Sequence, residues 1–299
     1  MRKAELHLHL EGSVEPATMR ELNPSLTEEE VASRYRFSDF QGFIETYKWI
    51  TGYLRTPEDY ARITRRLLDL LRSDNIGYAE INVSVGVMLW RNQDARANFR
   101  AIREAAQGAA VEVRWIFDAV RQFGPEDGMR VAELAVEFAA DGVVGFGIGG
   151  DEARGPAAWF REPFRFAADH GLRILPHAGE TTGPESVWEA IEHGAARIGH
   201  GIRSVGDPAL LRRLREDKIP LEICITSNLC TGAAASLHEH PVREIFDAGV
   251  PIVLATDDPG IFNTTLSREY EIAERDFGFT PAELEEIAAN SFRFALCGA

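Results

Sequence analysis

The chain has 299 residues, of which 45% are hydrophobic and 26% charged, a composition typical of a folded globular protein rather than a collagen-like or disordered one. Its 32 Lys and Arg face 47 Asp and Glu, and the formal charge of −15 has the wrong sign for gripping nucleic acid or an anionic membrane. No stretch reaches the roughly 20 apolar residues of a membrane helix, and no signal region follows the first residues.

Three cysteines, Cys224, Cys230 and Cys297, are too few for a disulfide framework and favour a reducing compartment. We therefore expect a cytoplasmic protein with neither nucleic acid nor a membrane as partner. Assembly into a homo-oligomer is compatible with this composition.

Eight apolar, often β-branched runs recur along the chain, at residues 4–10, 76–85, 111–119, 143–148, 173–177, 197–200, 221–225 and 251–256. Most are apolar on both faces, which is typical of parallel strands buried under helices. Stretches with helical periodicity separate them, and no linker or repeat interrupts the order. We therefore predict one α/β domain over residues 1–299 that forms a single (β/α)8 TIM barrel. Five or six units would instead favour a doubly wound sheet.

The segment between the first strand and the first long helix, residues 13–56, is long for such a connection. Within it, Thr27-Glu28-Glu29-Glu30 has capping-box spacing and predicts a short helix. Thr56, followed by Pro57, predicts the start of the next helix. We expect a partly helical insertion after strand 1, which either covers the barrel mouth as a lid or packs as an ordinary first helix. Later helix starts are predicted at Pro184, Pro208 and Pro281.

Polar side chains stand at the carboxyl ends of the predicted strands, where TIM barrels place their reactive groups. His7 and His9 end the first run, and strand periodicity puts both imidazoles on one face, between leucines. The later ends carry, in chain order, His177, His200, Asp257 and Asp258. Each alone is compatible with a hydrogen-bonded core histidine or a turn aspartate. Their meeting at one barrel mouth favours a functional site.

Imidazoles and a carboxylate form a ligand set that suits zinc, and a catalytic zinc site leaves one position free for water. We assign the ligands of one zinc ion per chain as His7, His9, His177 and Asp257. Zinc in such a site makes hydroxide available at neutral pH. A second metal would normally need a bridging anion near the fourth strand, often a carboxylated lysine, and no lysine occurs there.

Two further residues are candidates for proton transfer. Glu180 lies three residues beyond His177, close enough to share the pocket and shuttle protons. His200, on the neighbouring strand, either holds the attacking water in line or acts as a fifth metal ligand. The glycines within 145–150 permit a flat ligand to approach the backbone, or form a tight strand-helix junction.

Five segments together resemble the motifs of the adenosine deaminase family within the amidohydrolase superfamily. In chain order they are His7-Leu8-His9-Leu10-Glu11-Gly12, Gly150-Asp151-Glu152, His177-Ala178-Gly179-Glu180, Arg197-Ile198-Gly199-His200-Gly201 and Thr256-Asp257-Asp258-Pro259. The resemblance covers nearly the whole chain. It implies a zinc-dependent (β/α)8 barrel that replaces the 6-amino group of a purine by oxygen and releases ammonia. The H-x-E and P-C-x-x-C signature of other zinc deaminases is absent.

The resemblance also implies catalytic roles. Glu180 resembles the acid that protonates purine N1. His200 resembles the residue that orients and deprotonates the attacking water, and Asp257 would share in the proton transfers.

Substrate contacts follow from the same resemblance. Asp258 resembles the partner of purine N7, Gly150 resembles the backbone contact to N3, and His9 counts as a substrate contact as well as a metal ligand. Glu11 stands where adenosine deaminases proper have an aspartate for the ribose 5′-hydroxyl, and is closer to the adenine and aminodeoxyfutalosine deaminase branches.

The segments 53–60 and 87–91 resemble the aminodeoxyfutalosine branch most, whose enzymes belong to the futalosine route to menaquinone. That substrate carries a benzoate at the 5′ side, and an arginine could pair with its carboxylate. The candidates are Arg55, Arg91 and Arg154, each of which could equally be a solvated surface residue. The leading substrate is 6-amino-6-deoxyfutalosine, with adenosine or adenine as the alternative.

The sequence leaves two other classes of function open. A related hydrolase that cuts amide or ester bonds would hold two metals and release no ammonia from aminopurines. A non-catalytic purine binder on the same scaffold would have no rate to lose in a Glu180→Gln variant.

Overall fold

Eight parallel strands form one sheet in which each strand pairs with the next along the chain. The computed structural model describes residues 2–296. Its strands are β1 (Glu5–His9), β2 (Tyr78–Val83), β3 (Glu112–Val120), β4 (Val143–Gly149), β5 (Arg173–Ala178), β6 (Ile198–His200), β7 (Leu221–Ile223) and β8 (Ile252–Leu254).

The sheet closes through a single residue beyond β8. The backbone N–H of Asp257 donates to the carbonyl of His7 at 2.9 Å, and the carbonyl of Asp257 accepts from the N–H of His9 at 2.7 Å. An isolated bridge joins Leu8 to Asp257. Together with the helices between the strands, this closure confirms the predicted (β/α)8 TIM barrel. We call this junction between the end of β8 and β1 the seam. Asp257, a predicted metal ligand, lies on it.

The described residues form fifteen α-helices. They are α1 (Pro16–Leu22), α2 (Glu28–Arg34), α3 (Phe40–Thr51), α4 (Pro57–Ser73), α5 (Val85–Trp90), α6 (Ala95–Ala106), α7 (Pro125–Glu137), α8 (Arg161–Asp169), α9 (Pro184–Glu192), α10 (Pro208–Asp217), α11 (Ile225–Cys230), α12 (Val242–Asp247), α13 (Pro259–Phe262), α14 (Leu266–Phe277) and α15 (Pro281–Arg293).

Helix starts follow the capping and proline signals of the sequence. The Thr56 side chain accepts from the N–H of Asp59, whose carboxylate reaches back to the N–H of Thr56, so α4 begins with a complete capping box. Prolines open α9, α10 and α15 at the predicted positions. Along α4, the predicted apolar face is buried, with Tyr60, Ile63 and Leu67 each 1% exposed.

The insertion after β1 is helical, as predicted, and contains α1, α2 and α3. The capping box at Thr27 identified α2 alone. Helix α3 begins after Asp39, whose side chain accepts from the N–H of Gly42 at 2.8 Å. A cavity at the barrel mouth is lined by Phe40, Phe43 and Tyr47 of α3. The insertion therefore supplies one wall of that cavity.

The predicted seventh strand, residues 221–225, was wrong at its end. β7 stops at Ile223, and Ile225 is the first residue of α11. Ile225 is completely buried in α11. An apolar run indicates that residues are buried, but it does not show where strand pairing ends.

No helix within residues 2–296 is long and apolar enough to cross a membrane. Cys224 is buried and Cys230 half-buried, both as free thiols; Cys297 lies outside the described residues.

Candidate active site

Four side chains meet at the carboxyl ends of three strands. His7 and His9 come from β1, His177 from β5, and Asp257 from the seam after β8. One ligand-type atom of each lies within 4.8 Å of those of the others, and all four residues are buried. The strand pairing explains the meeting, since parallel strands in a barrel direct their carboxyl ends to the same mouth.

Neighbouring groups orient three of these side chains. The carboxylate of Glu222 lies 2.7 Å from His7 Nδ1, and the carbonyl of Ile148 lies 3.0 Å from His177 Nδ1. Ser227 Oγ donates to Asp257 Oδ2 at 2.6 Å. Acceptors on Nδ1 fix the tautomer of each ring and leave its Nε2 as a free electron-pair donor.

The freed atoms face one another and fit a metal ion. Nε2 of His9 and Nε2 of His177 are 3.1 Å apart, and each of His7 Nε2 and His9 Nε2 is 3.4 Å from Asp257 Oδ1. His7 Nε2 is buried without a hydrogen-bond partner. Buried polar atoms are rarely left unpaired unless they have a functional role or bind an ion. Three imidazoles and one carboxylate are donors that suit a divalent transition metal.

A buried ion pair lies behind His7. Arg197 donates from Nε to Glu222 Oε1 at 2.5 Å, and its guanidinium also pairs with Glu80. Burial raises the pKa of Glu222, but Arg197 and His7 outweigh it and bring that pKa down to about 2. Glu222 is therefore an anion that holds His7 in place, and Arg197 keeps it charged.

Two residues of the mouth adopt strained backbone conformations. His200 and Asp257 both have φ of 63°, in the left-handed region. For a residue other than glycine this costs on the order of 1–3 kcal/mol, and such strain concentrates at functional sites. The surrounding hydrogen bonds hold both side chains toward the cavity.

Glu180 sits on the loop that follows β5 and is buried. Its Oε2 lies 3.7 Å from His200 Nε2, and Thr231 Oγ1 donates to its Oε1 at 3.5 Å. Burial, together with the negative charges of Asp257 and Glu152, raises the pKa of Glu180 well above its ordinary value. Because of this raised pKa, the carboxyl group stays protonated to higher pH than an ordinary glutamate and can act as an acid.

Glu152, the last residue of the motif Gly150-Asp151-Glu152, holds the loop after β5 in place. Its Oε2 accepts from the backbone N–H groups of Thr181 and Thr182 at 3.2 and 2.9 Å, and from Thr182 Oγ1 at 2.7 Å. The loop that carries Glu180 is therefore anchored by a buried carboxylate from the segment after β4.

A cavity of about 410 Å³ lies at the barrel mouth, and three of the four donors, His9, His177 and Asp257, line it. Its inner end carries the candidate site residues His9, Gly150, His177, Glu180, His200, Asp257 and Asp258. Its outer end is aromatic and basic, with Phe40, Phe43, Trp90, Phe123, Lys48, Arg91 and Arg154. Of the three candidate arginines, Arg55 is not among the lining residues; its Nε donates instead to the carbonyl of Gly52 at 2.9 Å. This position agrees with the alternative that Arg55 is a surface residue.

Asp258 is packed tightly at the inner end. A Cβ added to Gly12 would come within 1.5 Å of Asp258 Oδ1, so only glycine fits beneath this carboxyl group. Burial and the neighbouring charge of Asp257 raise the pKa of Asp258 well above its ordinary value. Its Oδ1 is buried without a hydrogen-bond partner. Asp258 is among the residues that line the cavity, and its raised pKa favours the protonated form, which can donate a hydrogen bond.

Glu11 lies behind the cavity wall rather than in it. Its carboxylate accepts from the backbone N–H of Ser84 at 3.1 Å and from the hydroxyl of Tyr47 at 3.3 Å, and both of those residues line the cavity. Burial raises the pKa of Glu11 to about 7. Its connection to the cavity runs through Ser84 and Tyr47.

Sequence reasoning missed several residues of the site. Glu222 stands between Leu221 and Ile223 in a buried strand, and Asp118 stands between Phe117 and Ala119. Asp118 lines the cavity, and burial raises its pKa to about 8. The signal that identified His7 and His9, a costly polar group inside an apolar strand, was present at both positions.

A (β/α)8 barrel with three histidines and one aspartate gathered at the carboxyl ends of its strands defines the class of metal-dependent barrel hydrolases. The family model for adenosine deaminase matches residues 2–299. This chain belongs to the adenosine deaminase family, and it is a hydrolytic aminopurine deaminase.

Three relatives illustrate the family. The chain is 40% identical to an aminodeoxyfutalosine deaminase of Streptomyces avermitilis, over 97% of this chain and 85% of that protein. It is 36% identical to an adenine deaminase of Rhizobium leguminosarum bv. trifolii, over 99% of this chain and 94% of that protein. A crystal structure of an amidohydrolase from Burkholderia ambifaria with bound zinc superimposes with a TM-score of 0.91 at 26% identity, covering 99% of this chain and 85% of that one.

Proposed function

We propose that this chain is a zinc-dependent deaminase of 6-amino-6-deoxyfutalosine. The observation that carries the proposal is the lining of one cavity, which combines three of the metal-type donors and the buried acids Asp118, Glu180 and Asp258 with aromatic and basic side chains. A purine fits the inner end, and an aromatic anion fits the outer one.

The metal ligands in this proposal are His7, His9, His177 and Asp257. A family structure that contains zinc supports zinc as the ion. When bound, zinc supplies positive charge that makes water more acidic and stabilises negative charge developing nearby.

The buried acids at the inner end match the acceptor atoms of a purine. Protonated Glu180 donates to N1, which makes C6 electrophilic, and protonated Asp258 donates to N7. Gly150, with a φ of 96°, brings backbone to the cavity wall, where the N3 edge would lie. These roles depend on the raised pKa of the two carboxyl groups, because a carboxyl group can donate to a ring nitrogen only when it is protonated.

The proton transfers balance over one turnover. Glu180 protonates N1 as the water oxygen bonds to C6, while Asp257 takes one water proton and His200 faces the attacking oxygen. That proton then passes to the amino nitrogen, and the C6–N bond breaks with its electron pair to release ammonia. The proton of the new hydroxyl returns to Glu180, leaving a 6-oxopurine with hydrogen on N1.

The outer end supports the benzoate-bearing substrate over smaller purines. The rings of Trp90 and Phe123 stack at 5.3 Å with an angle of 15°, and Trp90 is 53% exposed. Arg91 donates to the neutral oxygens of Lys48 and Thr51, so that no carboxylate within residues 2–296 neutralises it. A stacked aromatic pair beside a guanidinium without an anion suits an aromatic carboxylate.

The test compares ammonia release from 6-amino-6-deoxyfutalosine, adenosine and adenine by the metal-loaded chain. We expect the first substrate to have the highest kcat/KM. Arg91→Gln and Arg154→Gln should raise its KM while leaving kcat/KM for adenosine within about two-fold, since a guanidinium–carboxylate contact is worth roughly 1.5–3 kcal/mol. Arg55→Gln, which changes a guanidinium outside the cavity, is the matched control. Faster turnover of adenosine or adenine would assign the chain to another branch.

A further inference from the structure

A chain of hydrogen bonds reaches His200 from outside the cavity. The backbone N–H of Val242 donates to His240 Nδ1 at 3.2 Å. His240 Nε2 lies 3.1 Å from Asn228 Oδ1, and Asn228 Nδ2 lies 3.2 Å from His200 Nδ1. All three side chains are buried, with His240 4%, Asn228 0% and His200 1% exposed. No water competes for these contacts, so each donor must meet an acceptor.

The direction of every bond in this chain follows from its first donor. A backbone N–H only donates, so His240 Nδ1 must accept and carries no proton. An imidazole keeps at least one proton, which must then be on His240 Nε2 and must point at an acceptor. That acceptor is the carbonyl oxygen of Asn228, and the amide NH2 of Asn228 is therefore turned toward His200 Nδ1. His200 Nδ1 must accept in turn, which leaves a neutral ring with its proton on Nε2.

The atom that receives this proton is the one that faces the chemistry. His200 lines the cavity, and its Nε2 lies 3.7 Å from Glu180 Oε2. The ring centre of His200 lies 5.2 Å from that of His7 and 5.4 Å from that of His177. An Nε2 that already carries hydrogen has no electron pair to offer to a cation or to a proton of water. It has a hydrogen to donate.

We propose that Asn228 and His240 are positioning residues that hold His200 as a hydrogen-bond donor at Nε2, aimed at the oxygen that attacks C6. The inference rests on the proposed deaminase function and assigns His200 the opposite polarity from a base. Among the three catalytic residues, Asp257 is then the acceptor of the water proton. A donor that is already oriented stabilises negative charge developing on oxygen, and removing one such donor typically costs about 10²- to 10³-fold in kcat.

Asn228→Asp tests the donor-to-acceptor direction of these hydrogen bonds, because the two side chains have almost the same shape. A carboxylate cannot donate to His200 Nδ1 and instead accepts from it, so the proton should move to Nδ1 and leave Nε2 bare. We expect the ¹⁵N spectrum of histidine-labelled protein to show a proton-bearing Nε2 on His200 in the native chain and a proton-bearing Nδ1 in the variant. Signals of His200 are assigned by their loss in His200→Gln. We expect kcat to fall about 10²-fold or more with KM nearly unchanged, which marks an interaction made in the transition state.

Asn98→Asp is the matched control, because Asn98 is equally buried at 2% exposure and is not among the cavity-lining residues. It should leave the His200 spectrum and kcat as they are in the native chain. Thermal unfolding of each variant identifies a loss of rate that comes from a loss of folding.

A second pair of variants tests His240, at the other end of this series of hydrogen bonds. His240→Gln keeps an N–H that can donate to Asn228 Oδ1, whereas His240→Leu removes it and frees the amide to rotate. We expect native-like spectra and kcat in the first variant, and mixed tautomers with a lower kcat in the second. The proposal is overturned if native His200 carries its proton on Nδ1 or on both nitrogens, or if the two His240 variants behave alike. Failure of the native chain to deaminate aminopurines would instead refute the proposed function, and the spectra would still report the tautomer.

Discussion

Two adjacent aspartates at the mouth of the barrel have opposite protonation behaviour. Hydrogen bonding to His7 and the nearby imidazoles hold the pKa of Asp257 well below its ordinary value against the effect of burial. Burial and the charge of Asp257 hold the pKa of Asp258 well above its ordinary value. One carboxyl group is therefore an anion fit for a cation, and its neighbour is an acid fit for ring nitrogen. Asp-Asp in the sequence does not reveal this difference, which depends on what each side chain packs against.

The pH dependence of the rate should report Glu180. Its raised pKa means that the acid form persists to higher pH than in an ordinary glutamate and is lost as pH rises through that pKa. We therefore expect kcat/KM to decline on the alkaline side, and Glu180→Gln to lower it by about 10²- to 10⁴-fold across the profile. Glu185→Gln, which changes an exposed glutamate in the first turn of α9, is the control and should keep the native profile. A native profile that rises through the alkaline range would assign Glu180 a different role.

Gly12 should tolerate no side chain, because Asp258 occupies the space that a Cβ would need. Gly12→Ala is expected to displace the Asp258 carboxyl group and to reduce kcat/KM by about 10²-fold, with a stability loss of roughly 1–3 kcal/mol from overpacking. Gly77→Ala is the control, since a Cβ there meets no atom within 4 Å. Kinetics and thermal unfolding of both variants provide the measurement. Full activity of Gly12→Ala would mean that Asp258 does not contact the substrate.

At the level of secondary structure, the sequence predicted which elements exist better than where they end. Apolar runs identified all eight strands, and polar residues at their ends identified the four residues that converge at the mouth. Strand ends depend on pairing with neighbours, so the runs overshoot β7 and β8. Helices α1 and α3 were not located, although Asp39 caps α3 with the same chemistry as other predicted starts.

The helix after β7 shows why part of the site was unpredictable. Ser227 and Asn228, which bond Asp257 and His200, lie on α11, immediately after a run that was predicted to remain a strand through 225. Small polar residues in a short helix carry no periodic signal. Only the backbone turn at Cys224 directs them into the barrel mouth.

The capping boxes at Thr56 and Thr27, which both begin with threonine, should contribute unequally to stability. Thr56→Ala removes the box of α4, a helix that buries seven residues against the core. We expect a loss of about 0.5–2 kcal/mol in the free energy of unfolding measured in urea. Thr27→Ala removes the box of α2, which buries only Val31, and should cost less because α2 can fray without exposing the core. Equal losses in the two variants would show that both helices unfold with the barrel.

At the scale of the whole molecule, the candidate metal centre joins distant parts of the chain. Its donors come from β1, β5 and the seam after β8, and among residues 2–296 two backbone hydrogen bonds hold the seam. Behind His7, Glu222 and Arg197 continue the contact to the carbonyl of Phe294 near the other end of the sequence. That residues 1–299 form one domain stays a prediction, and this connection is the physical reason to expect it.

Removal of the metal should therefore lower the stability of the whole barrel. We expect a chelator-treated sample to lose ammonia release and to unfold at a lower Tm. Added zinc should restore ammonia release and Tm, and both effects should saturate as the site fills. A ligand that binds only the folded state adds about 2.7 kcal/mol to the free energy of unfolding at a hundred-fold excess over its Kd. His177→Ala should abolish the zinc-dependent rise in Tm, since it removes one donor from the group. His238→Ala removes a histidine that is not one of the four donors and should keep the full rise. If zinc raises the Tm of the His177 and His238 variants equally, the ion binds elsewhere on the chain.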